Sequence, residues 1–202
     1  MSKPYAPSSA QIHNPQVGNV TVPFVDLKQQ YTSIKSEVDA AIARVIENTS
    51  FILGPQVRAF EAAFAAYTGA RACIAVNSGT AALQLALMAE GIGAGDEVIV
   101  PSFTFFATAE AVSVLGAIPV FVDVDPVSYT VTAGAIEHAI TSRTRAIIPV
   151  HLYGQAADLD PILELATLHS LRVIEDAAQA HGAEYKGKPV GALGSTGCFS
   201  FY

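Results

Sequence analysis

Short apolar segments alternate with segments of helical spacing along most of the chain, and this alternation constrains the possible fold more than any other feature. Strands are predicted over residues 72–76, 97–100, 119–122, 145–150 and 172–175. The intervening helices are predicted over residues 80–90, 105–115, 133–140 and 159–169. Continuously apolar strands that alternate with helices are typical of parallel sheets whose two faces are both covered. The sequence therefore predicts an α/β fold, with a mostly parallel sheet and helices on both faces.

The residues before this alternation have two different patterns. Residues 1–21 are polar, contain several prolines and lack the apolar core of a secretory signal, so we expect them to form a flexible arm. Helical spacing then predicts one helix over 30–48 and a second from 55 to about 67, because a proline at position 55 suits the first turn of a helix.

The end of the chain departs from the alternation. Residues 184–190 are expected to form a β-hairpin, and 197–202 a further apolar strand. Chains usually end in polar residues that fray, whereas this one stops inside the apolar segment. We therefore expect residues 22–202 to be an incomplete domain.

The composition limits the classes of partner. The chain of 202 residues has a formal net charge of −7 and no cluster of lysine and arginine, which argues against nucleic-acid binding. The apolar stretch 104–124 is interrupted by Glu110, Gly116 and Pro119, so a helix, a turn and a buried strand are expected there rather than a membrane span. Cys73 and Cys198 form no CxxC pair and are expected to be buried free thiols. These features predict a cytoplasmic protein.

Ligands of parallel sheets bind at the carboxyl ends of the strands, where small and polar residues occur here. The turn 77–81 leads directly into a helix, whose first N–H groups and positive dipole end suit a phosphate, with the Thr80 hydroxyl as a further donor. A capped helix without a ligand is the alternative.

The aromatic segment 102–106 follows a second strand and either packs in the core or faces a ligand. Asp176 follows a third strand, where it can cap a helix, bind a metal or pair with a protonated ring nitrogen. The five histidines have no metal-ligand spacing, so no metal site is predicted.

Several segments together resemble the DegT/DnrJ/EryC1/StrS family of sugar aminotransferases, over a range from about Val22 to Tyr202. These are the segments 23–27, 52–55, 77–80, 96–101, 149–155, 175–182 and 198–202. The resemblance implies the aminotransferase fold type I and a homodimer with pyridoxal phosphate as cofactor. It also implies amino transfer, usually from glutamate, to a keto sugar carried on a nucleotide diphosphate, and a small C-terminal domain that this chain lacks.

The resemblance assigns cofactor contacts to six residues. Thr80, Ala81 and Ser200 would contact the phosphate, Phe105 would stack on the pyridine ring, Asp176 would pair with the ring nitrogen, and Gln179 would hydrogen-bond the ring oxygen. His151, Tyr153 and His181 either line the substrate side or have structural roles.

One position of the family pattern is absent. The lysine that forms the family's Schiff base with the cofactor would lie about three residues past Tyr202, so no catalytic residue is assigned and these 202 residues alone are expected to be inactive. Two alternatives remain open. Some relatives have histidine in place of the lysine and dehydrate sugars, and the chain itself could be a non-catalytic or regulatory product.

Overall fold

The computed structural model describes residues 9–14 and 18–202, and the chain divides into two compact units, Met1–Gln56 and Val57–Tyr202. In the first unit, β1 (Ser9–Asn14) and β2 (Gly18–Pro23) pair antiparallel, a pairing that the sequence pattern does not predict. The remainder of the predicted arm, residues 1–8 and 15–17, lies outside the described residues.

Helix α1 (Leu27–Glu47) confirms the helix predicted over 30–48. It begins earlier than expected because the Asp26 side chain caps it, accepting the Gln29 N–H at 2.9 Å. No residue of α1 is buried, so the apolar face expected of this helix is not part of a core within the described residues. Helix α2 (Pro55–Thr68) begins at the proline, as predicted.

The second unit contains a five-stranded parallel sheet with strand order β4-β3-β5-β6-β9. This confirms the α/β fold with a mostly parallel sheet. In chain order its elements are α3 (Gly79–Ala89), β3 (Glu97–Pro101), α4 (Ala107–Ser113), β4 (Ile118–Val122), α5 (Ala133–Ala139), β5 (Thr144–Ile147), a 3₁₀ turn (Leu152–Gly154), α6 (Leu159–Leu168), β6 (Arg172–Asp176), β7 (Glu184–Tyr185), β8 (Lys188–Pro189) and β9 (Thr196–Cys198).

Helices cover both faces of this sheet. Consecutive residues of β3 belong to opposite clusters: Val98 and Val100 pack in the cluster that includes Leu87 of α3, whereas Ile99 packs in the cluster that includes Ile162 of α6. This alternation follows from the period of two in a strand. Because both faces are buried, the central strands are continuously apolar. These apolar runs are the pattern from which the sequence predicted a parallel sheet.

The prediction of a strand over 72–76 was wrong. No described strand pairs with this segment; instead the Ala75 N–H donates to the Glu61 carboxylate at 2.8 Å, and the Ile74 side chain is 81% exposed. An apolar run becomes a strand only where a neighbouring strand satisfies its backbone. For the same reason the last predicted strand ends at Cys198 rather than continuing to the end of the chain.

The apolar stretch 104–124 forms α4, a turn and β4, as predicted. The expectation that this strand is buried was wrong, because β4 is an edge strand and Ile118 and Phe121 are exposed. Within residues 9–14 and 18–202, no helix has both the length and the apolar character needed to cross a lipid bilayer.

The predicted hairpin is confirmed as β7 and β8, which pair antiparallel. Its two turn residues, Lys186 and Gly187, have φ angles of 52° and 77°, the combination required by a tight turn that matches the twist of the strands. The hairpin is tied to the start of α6, because the Tyr185 hydroxyl donates to Asp158 at 2.5 Å and Lys186 forms an ion pair with Asp160.

Candidate active site at the carboxyl edge of the sheet

All five strands run in the same direction, so the segments that follow them meet at one edge. Asp176 is the last residue of β6 and is paired in register with Cys198, the last residue of β9. The Ala177 N–H donates to the Cys198 carbonyl at 2.8 Å, which holds the two strand ends together. Ser200 follows two residues after Cys198. The ends of paired strands are about 5 Å apart in a sheet, so the segment that contains Ser200 begins beside Asp176.

The Asp176 carboxylate is only 5% exposed and is held by two donors. Its Oδ2 accepts the Thr108 hydroxyl at 2.8 Å, and its Oδ1 accepts the Ala178 N–H at 3.2 Å. Burial raises the pKa of the Asp176 carboxyl, although both hydrogen bonds and the nearby His151 act to lower it. A buried carboxylate with remaining acceptor capacity can bind a cationic or N–H partner.

The N-terminus of α3 provides hydrogen-bond donors. The Ser78 hydroxyl caps the helix and accepts the Ala81 N–H at 3.1 Å. Among the described residues, no acceptor is bonded to the N–H groups of Gly79 and Thr80. These two amides and the positive end of the helix dipole remain available to an anion.

Gly79 brings Ser200 against this helix terminus. A Cβ atom at Gly79 would lie 2.6 Å from the Ser200 Cβ and 3.1 Å from its Oγ, closer than two such carbon atoms approach. The absence of a side chain at this position therefore lets Ser200 contact the first turn of α3. Because Ser200 also follows the strand beside Asp176, the helix terminus and the carboxylate share one edge of the sheet.

Gln179 and Tyr153 are joined at the same edge. The Gln179 Oε1 accepts the Tyr153 N–H at 3.0 Å, so the side-chain NH₂ of Gln179 points away from that contact and can donate elsewhere. Tyr153 lies in the 3₁₀ turn with φ 55° and ψ 23°, an uncommon conformation for a non-glycine residue, and its side chain is 75% exposed.

Phe105 lies two residues before α4. Its side chain is 71% exposed, so it is not a core residue, and its carbonyl accepts the Thr108 N–H at 3.2 Å. Phe105 is thus attached through its backbone to the residue that holds Asp176. An exposed aromatic ring at the edge of a ligand site is available for stacking on a planar group.

His151 is fully buried, so it does not line an open surface. Its Nδ1 accepts the Ala157 N–H at 3.1 Å, which assigns the ring hydrogen to Nε2, and Nε2 donates to the Glu175 Oε2 at 3.1 Å. Of the two roles open to this histidine, the structure supports the structural one.

His181 belongs to an aromatic cluster instead. Its ring lies 4.6 Å from that of Phe201 and 5.4 Å from that of Phe199, and Phe64 of α2 packs edge-on against Phe199 at 4.9 Å. These contacts attach α2 to the segment that follows β9.

The residue pattern indicated neither Thr108 nor Glu175 as a site residue, and it included Gly79 only as part of the turn 77–81. Thr108 has no sequence signal, because its partner Asp176 lies 68 residues away. Glu175 precedes the predicted site residue and carries no distinguishing pattern. Gly79 did have a signal, a glycine at the first position of a helix, where a residue with a side chain would be the more stable choice.

Comparison with known proteins shows the family of this chain. The sequence profile of the DegT/DnrJ/EryC1/StrS aminotransferase family matches residues 32–202. A UDP-N-acetyl-3-dehydro-α-D-glucosamine 3-aminotransferase of Acidithiobacillus ferrooxidans is 54% identical over 184 residues, which cover 91% of this chain and 50% of the relative. A dTDP-3-amino-3,4,6-trideoxy-α-D-glucose transaminase of Streptomyces venezuelae is 54% identical over 181 residues, 90% of this chain and 48% of the relative.

A solved structure also matches most of this chain. The crystal structure of DesV from S. venezuelae superposes with a TM-score of 0.87 at 54% identity, covering 90% of this chain and 49% of that one. The chain thus spans about half the length of the relatives it matches. By profile, by sequence identity and by structure, this chain belongs to the DegT/DnrJ/EryC1/StrS aminotransferase family.

Proposed function

We propose that this chain provides the cofactor-binding part of a pyridoxal-phosphate-dependent aminotransferase that acts on nucleotide-linked keto sugars. Dependence on pyridoxal phosphate is implied by the resemblance to the family to which this chain belongs. The names of the two relatives describe amino transfer to UDP- and dTDP-linked sugars. Glutamate as amino donor and a homodimer as the working assembly are part of the proposal, since they are implied by the family resemblance. The observation that carries it is the shared edge of Asp176 and the N-terminus of α3.

The phosphate would bind at the N-terminus of α3. The free amides of Gly79 and Thr80, the Thr80 hydroxyl and the Ser200 hydroxyl would act as donors, in the field of the helix dipole. Ala81 would lie beside them, with its N–H kept by the Ser78 cap. The close approach of Ser200 to Gly79 fits such a group, because it gathers donors from two elements within one small volume.

The pyridine ring would lie between this terminus and Asp176. An ionised Asp176 favours the protonated form of a nitrogen that faces it. The Gln179 NH₂ would donate to the ring oxygen, because its Oε1 is already bonded to Tyr153, and the exposed ring of Phe105 would stack on the cofactor. The bound cofactor would supply an electron sink, which protein side chains cannot supply themselves.

We also propose that these 202 residues do not transfer amino groups by themselves. In the second unit the lysines are Lys186 and Lys188, both in the β7–β8 hairpin, and Lys186 is engaged by Asp160. Among the residues described in this unit, neither side chain forms a hydrogen bond or ion pair with Asp176 or Ser200. Within the second unit, the site therefore lacks a nearby amine that could carry a proton between substrate and cofactor.

Binding of pyridoxamine 5′-phosphate tests the proposed site. This ligand has the phosphate and ring of the cofactor but no aldehyde, so it does not react with surface lysines. Isothermal titration calorimetry should show binding to the chain, and much weaker binding of pyridoxamine, which lacks the phosphate.

The matched variants are Gly79→Ala and Gly134→Ala. The first places a methyl group against Ser200, whereas a Cβ at Gly134 in α5 has no atom within 4 Å. Gly79→Ala should weaken binding at least about tenfold, or about 1.4 kcal/mol, and Gly134→Ala should leave it unchanged. If the chain binds neither ligand, or if both variants bind equally well, the proposed site is wrong. Amino transfer measured with the 202-residue chain alone would contradict the proposed inactivity but not the site.

A further inference from the structure

Thr108 is a buried polar residue whose hydroxyl binds the carboxylate of the proposed site. Its side chain is 0% exposed and lies in the first turn of α4. Its hydroxyl donates to the Asp176 Oδ2 at 2.8 Å, and the Thr104 hydroxyl lies 3.2 Å from the same oxygen of Thr108. A threonine hydroxyl has one hydrogen, which the carboxylate takes because an ionised carboxylate can only accept. Thr104 must then be the donor to Thr108.

The three side chains therefore form a directed chain of hydrogen bonds, from Thr104 to Thr108 to Asp176. Each donor in such a chain polarises the next, so the bond to the carboxylate is stronger than that of an isolated hydroxyl. Charge-assisted bonds of this kind are also the stronger ones in general. This series of hydrogen bonds starts at Thr104, in the loop after β3, passes through Thr108 of α4 and ends at Asp176 on β6. It therefore fixes the side chain of Asp176 relative to α4.

We infer that Thr108 is a positioning residue for the cofactor site, which keeps Asp176 ionised and holds its Oδ2 in place so that the carboxylate can face the ring nitrogen. This inference rests on the proposed function, since it takes the ring nitrogen as the partner of Asp176. It adds a residue outside the set of proposed cofactor contacts.

The groups around Asp176 show why the Thr108 hydroxyl has a large effect on the protonation of this carboxyl. Burial is the largest influence and raises the pKa of Asp176, and the bond from Thr108 is the largest influence that opposes it. The Ala178 N–H and His151 also act to lower this pKa. Cys198 pairs with Asp176 on β9, and burial first, then Asp176, raise the pKa of its thiol to about 12, so the thiol stays neutral. The adjacent Glu175 is engaged by its own donors.

Removal of the Thr108 hydroxyl should therefore favour a protonated Asp176. The folded-state pKa of Asp176 should rise further, so that the carboxyl is neutral over a wider range on the acidic side. A neutral carboxyl no longer favours a protonated ring nitrogen, and its own proton competes for the position that the nitrogen would occupy.

The test compares Thr108→Val, which keeps the shape without the hydroxyl, with Thr108→Ser, which keeps the hydroxyl. The first readout needs no cofactor: the ¹³C carboxyl resonance of Asp176 is titrated in the ligand-free chain and assigned by its absence in Asp176→Asn. We expect its midpoint to move to higher pH in Thr108→Val and to stay near that of the unmodified chain in Thr108→Ser. The second readout is the affinity for pyridoxamine 5′-phosphate at neutral pH, expected to fall at least tenfold in Thr108→Val and to be retained in Thr108→Ser.

Each outcome separates this inference from the proposed function. An unchanged Asp176 midpoint in a folded Thr108→Val protein, checked by its amide spectrum, overturns the inference even if the ligand binds. Should Thr108→Val fail to fold, Thr108→Ser decides the question, because this variant loses only the methyl group and keeps the hydroxyl. A raised Asp176 midpoint in Thr108→Ser would show that the hydroxyl is not the cause, and it would overturn the inference. If the midpoint moves as expected but no variant binds the ligand, control of the Asp176 charge by Thr108 is supported and the proposed function is refuted.

Discussion

Replacement of Glu175 by glutamine should destabilise the fold strongly without changing its shape. The Glu175 side chain is fully buried and accepts four hydrogen bonds: from Gly191 N–H at 2.7 Å, Leu193 N–H at 2.8 Å, Gly194 N–H at 2.7 Å and His151 Nε2 at 3.1 Å. Gly194 and Leu193 share one oxygen, and Gly191 and His151 share the other. The carboxylate thereby attaches the loop between β8 and β9 to β6.

The expected magnitude follows from counting donors. A glutamine has one oxygen and one NH₂ group, so in either orientation two of the four N–H donors face another donor and lose their acceptor. A buried donor left without an acceptor costs about 1–3 kcal/mol. The loss in the free energy of unfolding should therefore be about 2–6 kcal/mol, a large share of the stability of a typical domain.

Urea unfolding followed by circular dichroism measures this loss. The control is Glu164→Gln on the exposed side of α6, which removes the same charge from a position in water and should change the free energy by less than about 0.5 kcal/mol. A loss below about 1 kcal/mol for Glu175→Gln, with the control unchanged, would refute the reasoning from unsatisfied donors.

The same residue should make stability depend on pH. Burial alone would raise the pKa of Glu175, but the hydrogen bonds from His151, Gly194 and Gly191 outweigh it and hold the pKa below its ordinary value of 4.5. A carboxyl with a lowered folded-state pKa stabilises the fold above its unfolded-state pKa, and this contribution is lost as the pH falls through the folded-state value. The difference between the original chain and Glu175→Gln should be constant above about pH 5 and should shrink below it.

Two further variants test contacts away from the site. Tyr185→Phe removes a hydroxyl that donates to Asp158 at 2.5 Å and accepts the Asp160 N–H at 3.1 Å. Urea unfolding should show a loss of about 1 kcal/mol in the free energy of unfolding. An unchanged free energy would mean that the hairpin contributes nothing to stability through this contact. Burial, with help from Asp176 and Glu175, raises the pKa of Cys198 to about 12, so its thiol should not react with Ellman's reagent at pH 8 until the protein is unfolded. Cys73→Ser should then abolish the native-state reaction, and a rapid reaction that survives this change would contradict the buried position of Cys198.

The order of elements in the second unit could be predicted because its signals are local. All five strands in the sheet follow from apolar runs, although β9 is shorter than expected, and α2 and α3 begin at a proline and beside a serine cap, as their sequences indicate. The failures have a common physical cause. The segment 72–76 has the composition of a strand but no neighbour to pair with, and the pairing of β1 with β2 lies in a segment whose composition favours a loose chain. Pairing is a tertiary property that composition does not contain.

The features of the candidate site also divide into those that the sequence could predict and those that it could not. Asp176 could be placed at the carboxyl edge from the end of its strand, because parallel strands bring their carboxyl ends together. The strand expected before α3 is absent among the described residues, so only the family resemblance predicted the α3 terminus at the same edge. The contact of Ser200 with Gly79 and the bond from Thr108 to Asp176 join residues far apart in the chain. No spacing or period marks them, so only the folded structure reveals them.

Glu175 and Asp176 show how the fold gives two adjacent carboxylates opposite properties. As neighbours in a strand they point to opposite faces of the sheet, and both are buried. Glu175 receives four donors, more than enough to offset its lost hydration, and its pKa is lowered. Asp176 receives two, burial prevails, and its pKa is raised. A carboxylate whose acceptor capacity is filled can only stabilise the structure. The one left short of donors gains free energy from a cationic partner, and for that reason we propose the ligand-binding role for Asp176.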